Sequence, residues 1–281
     1  MIAMYFAYDS YTLDLADVLN KIMFDKMGSH PDMHCYALVD GAFAPDAVAA
    51  LLGKAVNRQA ASIYTDTPLQ GFEELAPVLI LMPRGEADRL EALSEWLELS
   101  NGKPMLSFVA STLDLAQIKQ HFASFLQIRD ESNMRYTLRF ADTRMTSAIL
   151  ECLPSQEKQA WLGGMAAWWL IGRSGNVQQL GGTNAPVAAQ PNAWHDMAVS
   201  DAQVIQLHDR SEADSVLSTL YETMPKAFAG HRPSTLYQQT SRALLHLDQQ
   251  QIHDHQLRLR QVAALLNTPQ FDQRTDIHHE N

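Results

Sequence analysis

The sequence predicts a mixed α/β N-terminal lobe built on a layered sheet, followed by an all-α C-terminal lobe. Three observations carry this reading. Residues 36–140 alternate short apolar runs with amphipathic segments, the pattern of strands and helices that share a core. Residues 181–195 (GGTNAPVAAQPNA and its flanks) lose all periodicity and concentrate Gly, Pro, Ala and Asn, the composition of a linker. Beyond them the period becomes helical, with Val216, Leu217, Leu220 and Met224 on one face. The expected division is therefore 1–180 for the α/β lobe, 181–195 for the linker and 196–281 for the helical lobe.

Taken in order, Cys35–Val39 reads as a strand ended by the Asp40-Gly41 turn, and Ala47–Val56 as a helix behind Pro45. Pro77–Met82 is a continuous apolar run, expected to form a central strand covered on both faces. Ala87–Ser100 places Leu90, Leu93 and Leu97 on one helical face, with Asn101-Gly102 as the stop. Met105–Ala110 is the next strand. Thr112 reads as the cap of a helix whose stripe is Leu115, Ile118, Phe122 and Phe125.

Met134–Ala141 alternates at period two, which predicts a strand with Arg135 and Arg139 on a shared wet face. A helix through Met145, Ile149 and Cys152 follows, then a short one from Ser155 to Leu162. Trp168–Ile171 and Val177–Leu180 flank a Ser-Gly-Asn turn and read as a hairpin. Ser200–Phe228 and Ser234–Leu266 complete the pattern as helices, and the polar tail 268–281 carries no element.

With 281 residues the chain is long enough to need neither disulfide nor metal to fold. A net charge of −11 works against a phosphate-tracking surface, so nucleic acid is excluded as a partner class. Cys35 and Cys152 lie far apart without metal or redox spacing, which suits a reducing compartment. The N-terminus lacks the basic start of a signal peptide, and no run reaches the roughly 20 apolar residues of a membrane span. The expected location is the cytoplasm, with no membrane partner.

No motif assembles a catalytic site. Ser155-Gln156-Glu157-Lys158 matches a serine–lysine spacing, but the motifs that complete such a site are missing, and Ser155 behind Pro154 reads as a helix N-cap. Glu73 and Glu74 are adjacent and so do not face each other on a helix. The glycines form no nucleotide signature, so no cofactor is expected. His246, His253 and His255 beside Asp248 and Asp254 admit a metal reading, with His246 and His253 on one face of an unbroken helix, yet four converging ligands are not evident and no metal is expected.

Two groups remain as candidate partner-binding residues. Trp161, Trp168 and Trp169 form either core or, if exposed, an interface. Arg135, Arg139, Asp142 and Arg144 lie where a strand hands over to a helix: Asp142 reads as a cap paired to an arginine, or the arginines as bidentate donors to a partner.

The segments Tyr36–Ala42 (YALVDGA), Leu75–Leu81 (LAPVLIL), Leu138–Met145 (LRFADTRM) and Ala198–Leu207 (AVSDAQVIQL) together resemble the successive signatures of the DUF4123 family, over about Tyr36–Leu266. The most specific is the family's aromatic-Arg-Phe-aromatic-Asp-Pro-Arg stretch. It matches here at Arg139, Phe140, Asp142 and Arg144 and departs at Leu138, Ala141 and Thr143. The resemblance implies a non-enzymatic adaptor chaperone of bacterial type VI secretion. Such a protein binds the N-terminal region of a toxic effector in the cytoplasm and promotes its loading onto the spike protein VgrG. The readings that compete with it are a small-molecule enzyme using the α/β lobe and a metal sensor using the three histidines.

Overall fold

Alternating burial on the strands builds the α/β part of the molecule, which a computed structural model describes over residues 5–54, 59–182 and 197–266. Six strands form one antiparallel sheet: β1 (His34–Asp40), β2 (Ala60–Ser62), β3 (Pro77–Leu81), β4 (Leu106–Ser111), β7 (Met165–Ile171) and β8 (Val177–Leu180), in the order β2-β3-β1-β4-β7-β8. Side chains on successive strand residues point to opposite faces. Tyr36, Leu38, Leu79, Val109, Trp168 and Leu170 therefore serve one core, and Cys35, Ala37, Val78, Ile80, Phe108 and Trp169 the other.

Each face is covered by helices whose apolar stripes match it. On the second core lie α1 (Leu15–Gly28), α2 (Pro45–Lys54) and α3 (Glu86–Ser100), through Leu19, Met23, Val48, Leu93 and Trp96. On the first lie α4 (Leu115–Ala123), α5 (Thr143–Cys152) and α6 (Ser155–Leu162), through Ile118, Phe122, Ile149 and Trp161. A second, three-stranded sheet joins this layer: β5 (Gln127–Arg129), β6 (Arg135–Thr137) and β9 (Met197–Ala198), in the order β6-β5-β9. The mixed α/β region followed by helices is the fold class that the sequence predicts.

Several expectations change in detail. Pro77–Leu81 is buried but lies one strand in from the edge, beside the short β2; β1 and β4 are the central pair. Helix α4 is capped by Asp114, not Thr112, through a reciprocal box with Gln117. Ser155 is the first residue of α6 rather than its cap, because Pro154 occupies the cap position, and no side-chain bond is made there. The strand expected over Met134–Ala141 stops after Thr137. Its continuation turns inward, so that Leu138 and Phe140 are buried while Arg139 stays exposed.

The chain divides into two compact units, residues 10–210 and a helical unit in which residues 1–9 accompany 211–281. The division falls within α7 (Asp201–Thr223), not at 181–195, a segment that lies mostly outside the described residues, as does the tail 268–281. The helical unit also holds α8 (Pro233–Gln249) and α9 (His255–Leu266), which the sequence reads as one helix. They are separate because the chain turns over residues 250–254, where Gln251 takes a positive φ of 58°.

Side-chain chemistry explains why residues 5–9 belong to the helical unit. Tyr5 stacks on Tyr221 and meets Phe228 edge-on, each at 4.8 Å between ring centroids. The Asp9 carboxylate accepts from the Ser234 N–H (2.9 Å), the Ser234 hydroxyl (2.7 Å) and the Arg232 guanidinium (2.7 Å). It thus supplies to the start of α8 the cap that no residue of that helix provides.

Candidate functional site

Three of the four segments that carry the family resemblance meet at one place in the α/β unit. Gly41, at the end of YALVDGA, donates its N–H to the carbonyl of Ala76 in LAPVLIL (3.2 Å). A Cβ on residue 41 would stand 2.6 Å from that oxygen, so this approach requires glycine. Asp40, one residue earlier, reaches the third segment: its Oδ2 accepts from Arg139 Nη2 at 2.9 Å, across 99 residues of sequence.

The charges are held asymmetrically. Asp40 Oδ1 accepts the Ala42 N–H, and its side chain is only 3% exposed, against 44% for Arg139. Burial raises the Asp40 carboxyl above its ordinary value; Arg139 opposes the rise and Asp142 adds to it. Asp142 is equally enclosed. It caps α5 through the Arg144 N–H and takes a forked pair of bonds from the Arg144 side chain, at 3.0 and 2.7 Å. Both guanidiniums also lie against the Phe43 ring, 4.9 Å from its centroid for Arg139 and 5.5 Å for Arg144.

This geometry separates the two arginines. Arg144 spends its fork on the buried cap and is a structural residue, 19% exposed. Arg139 uses one nitrogen on Asp40 and keeps nearly half of its side chain in solvent, beside the partly buried Phe43. Phe72 and Leu75, whose one-turn neighbour 73–75 adjoins Gly41, are 56% and 43% exposed. The arrangement places a half-exposed cation against Phe43, in a unit that also leaves Phe72 and Leu75 exposed.

The tryptophans are core, not interface. Trp161 and Trp168 have no exposed surface and Trp169 has 4%. Trp161 packs against Phe125, Phe140 and Trp168 at 5.7–5.8 Å, and the Trp168 indole N–H donates to Ser107. Phe140 stacks on Phe122 at 5.3 Å, which anchors the arginine-bearing segment to this cluster. Leu138, Ala141 and Thr143, the departures from the family stretch, are all buried and so alter packing beneath the site rather than its surface. Arg135 is set apart from Arg139 and Arg144, exposed on β6.

The other candidates do not converge. Ser155 and Lys158 are both exposed on α6, and Glu73 accepts the Gly71 N–H in a local turn. His246 lies on α8, His253 in the turn and His255 on α9; all three are exposed, and among the described residues no three His, Cys, Asp or Glu side chains could hold a metal ion. His278 and His279 lie outside the described residues. No helix of the described residues is long and apolar enough to cross a membrane.

Sequence reasoning missed Asp40 and Phe43. Asp40 is legible only as half of a turn signal, and nothing local announces its pairing with Arg139.

Among known proteins, residues 35–160 match the family model described as "Domain of unknown function (DUF4123)". The matched span takes in all three converging segments and ends before AVSDAQVIQL and the helical unit. No curated protein and no solved structure matches the chain.

Proposed function

Residues 35–160 belong to the DUF4123 family, and on that premise we propose that the protein is a non-enzymatic adaptor chaperone of the cytoplasm. It binds the N-terminal region of a type VI secretion effector and promotes loading of that effector onto the VgrG spike. The observation that supports this most is the half-exposed Arg139, posed over Phe43 by three segments that are far apart in sequence. Constructing such a site costs a buried carboxylate, Asp40, that core packing alone does not require.

The work is physical: apolar effector surface is sheltered until hand-over, and polar contacts select the partner. Arg139 supplies the polar contact and Phe43, Phe72 and Leu75 the apolar one. Co-expression with the effector and spike encoded beside the gene, followed by size-exclusion chromatography, tests the reading. A stoichiometric complex supports it; elution alone beside soluble, folded partners refutes it. Arg139→Ala and Arg144→Ala should each cost about 2–3 kcal/mol of stability by stripping the partner from a buried carboxylate, Asp40 or Asp142, but at a temperature where both variants are folded only Arg139→Ala should weaken capture, at least tenfold.

A further inference from the structure

The helical unit holds its own N-terminal segment in the way that a bound peptide is held. Residues 5–9 (YFAYD) form no helix or strand, and they bend where the Tyr8 N–H donates to the Phe6 carbonyl (2.8 Å). From Ser10 to Arg210 the chain belongs to the other unit, so this segment enters the helical unit as a separate piece.

Two anchors seat it, both on the run from the end of α7 to the first turn of α8. At one end the Tyr5 ring lies on Tyr221 and against Phe228, and these two rings meet edge to face at 5.2 Å, so that they form a two-walled aromatic cradle. At the other end the Asp9 carboxylate accepts from the Ser234 N–H, the Ser234 hydroxyl and Arg232. Between the anchors Ala7 is buried in the core with Val216, Leu236 and Val262, a position that calls for a small side chain. The Asp9 side chain is 8% exposed and that of Arg232 70%, so the carboxylate is enclosed while its cation stays in contact with solvent. No side chain of α8 caps the start of that helix, which leaves its donors matched to a carboxylate brought from outside it.

We propose that this cradle is a peptide-recognition site, occupied in the free protein by Tyr5–Asp9, and that a client segment of the same chemistry displaces them. That segment carries an aromatic residue, a small residue two positions on and a carboxylate two positions beyond that. In the absence of a client the protein's own segment keeps the aromatic surface of Tyr221 and Phe228 covered. Being tethered, it acts at an effective concentration on the order of millimolar, so a client exchanges with it efficiently only when a second contact holds that client on the adaptor. The proposal rests on the adaptor reading only for the nature of the client.

Fluorescence polarisation with a labelled Tyr-Phe-Ala-Tyr-Asp-Ser peptide tests it on the full chain. Asp9→Ala empties the carboxylate half of the cradle, so the peptide should bind this variant at least tenfold tighter than it binds wild type. Against Asp9→Ala, peptides with asparagine for the aspartate or alanine for the first tyrosine should each lose at least tenfold, as should the original peptide once Arg232→Ala is added to the protein. No binding to Asp9→Ala, or binding indifferent to these changes, would overturn the proposal. Should Asp9→Ala loosen the helical unit, hydrogen exchange in wild type decides: residues 5–9 should exchange at least tenfold faster than Val216–Leu220, because the segment opens on its own. Equal protection of the two would mean that the segment opens only with the whole unit, and would equally overturn the proposal. In a complex with the effector encoded beside the gene, residues 5–9 should lose protection. A complex in which they stay protected would leave the adaptor reading standing and remove the displacement alone.

Discussion

The two units bury an arginine in opposite ways. In the α/β unit, Arg89 has no exposed surface and is bonded to neutral oxygens: Asn20 Oδ1 of α1 at 2.7 Å and the carbonyls of Pro83 and Arg84 at 3.3 and 2.7 Å. In the helical unit, Arg258 is 4% exposed and forks onto both oxygens of Glu212, while also bonding Asp248 and the Ile252 carbonyl. One arginine is solvated by dipoles in a dense aromatic and aliphatic core; the other joins three helices by charge. The contrast teaches that the first unit satisfies a buried cation with neutral dipoles and the second with carboxylates, so that losing it breaks packing in one and an ion-pair network in the other.

The sharpest way to break the packing side is Phe140→Ala. It empties a site stacked on Phe122 and edge-on to Trp161, and should cost about 3–5 kcal/mol. Hydrogen exchange read by peptide should accelerate in α4 and α6 and leave residues 233–266 unchanged. Arg258→Ala attacks the other side and should cost about 2–3 kcal/mol, below the usual figure for a broken buried pair because Glu212 and Asp248 are 25% and 49% exposed. Exchange should then accelerate in α8, α9 and the part of α7 around Glu212, and leave the α/β unit unchanged. If either variant loosened both units equally, the contrast between them would fail.

The smallest effect sharpens the comparison through pH. His121 is enclosed by Phe122 and Phe125 and bonded to the Trp161 carbonyl at 2.7 Å, so its Nε2 carries the proton in the neutral ring. Burial lowers its pKa below the ordinary 6.5, the hydrogen bond opposing. The unfolded ring therefore takes up a proton near 6.5 that the folded ring refuses. This contribution to stability is whole above that value and is lost as pH falls below it. Melting of the α/β unit should decline between pH 7 and 5, and His121→Gln should flatten the decline.

The strands and helices were legible wherever one period ran long enough, as in Ala87–Ser100 and Pro77–Met82. The Asp142 cap was legible too, because it is local. What escaped depends on distance along the chain: Asp40 meets Arg139 across 99 residues and Asp9 meets Ser234 across 225. A single chain shows only one partner at a time in such pairs. Met134–Ala141 misled for a related reason. Its period-two pattern is genuine, but after Thr137 the inward residues follow the core into the α5 cap rather than a neighbouring strand.

The seating of Tyr5–Asp9 among residues 211–266 also orders events in time. On a ribosome, the α/β unit can complete itself from residues 10–210, whereas Asp9 must wait for Ser234. At about 5–20 residues per second that interval is roughly 10–45 s, during which a short tyrosine-rich segment lies without its acceptor. Residues 5–9 are made before the α/β unit and placed after it, and the helical unit closes only once synthesis has supplied both parts of its core.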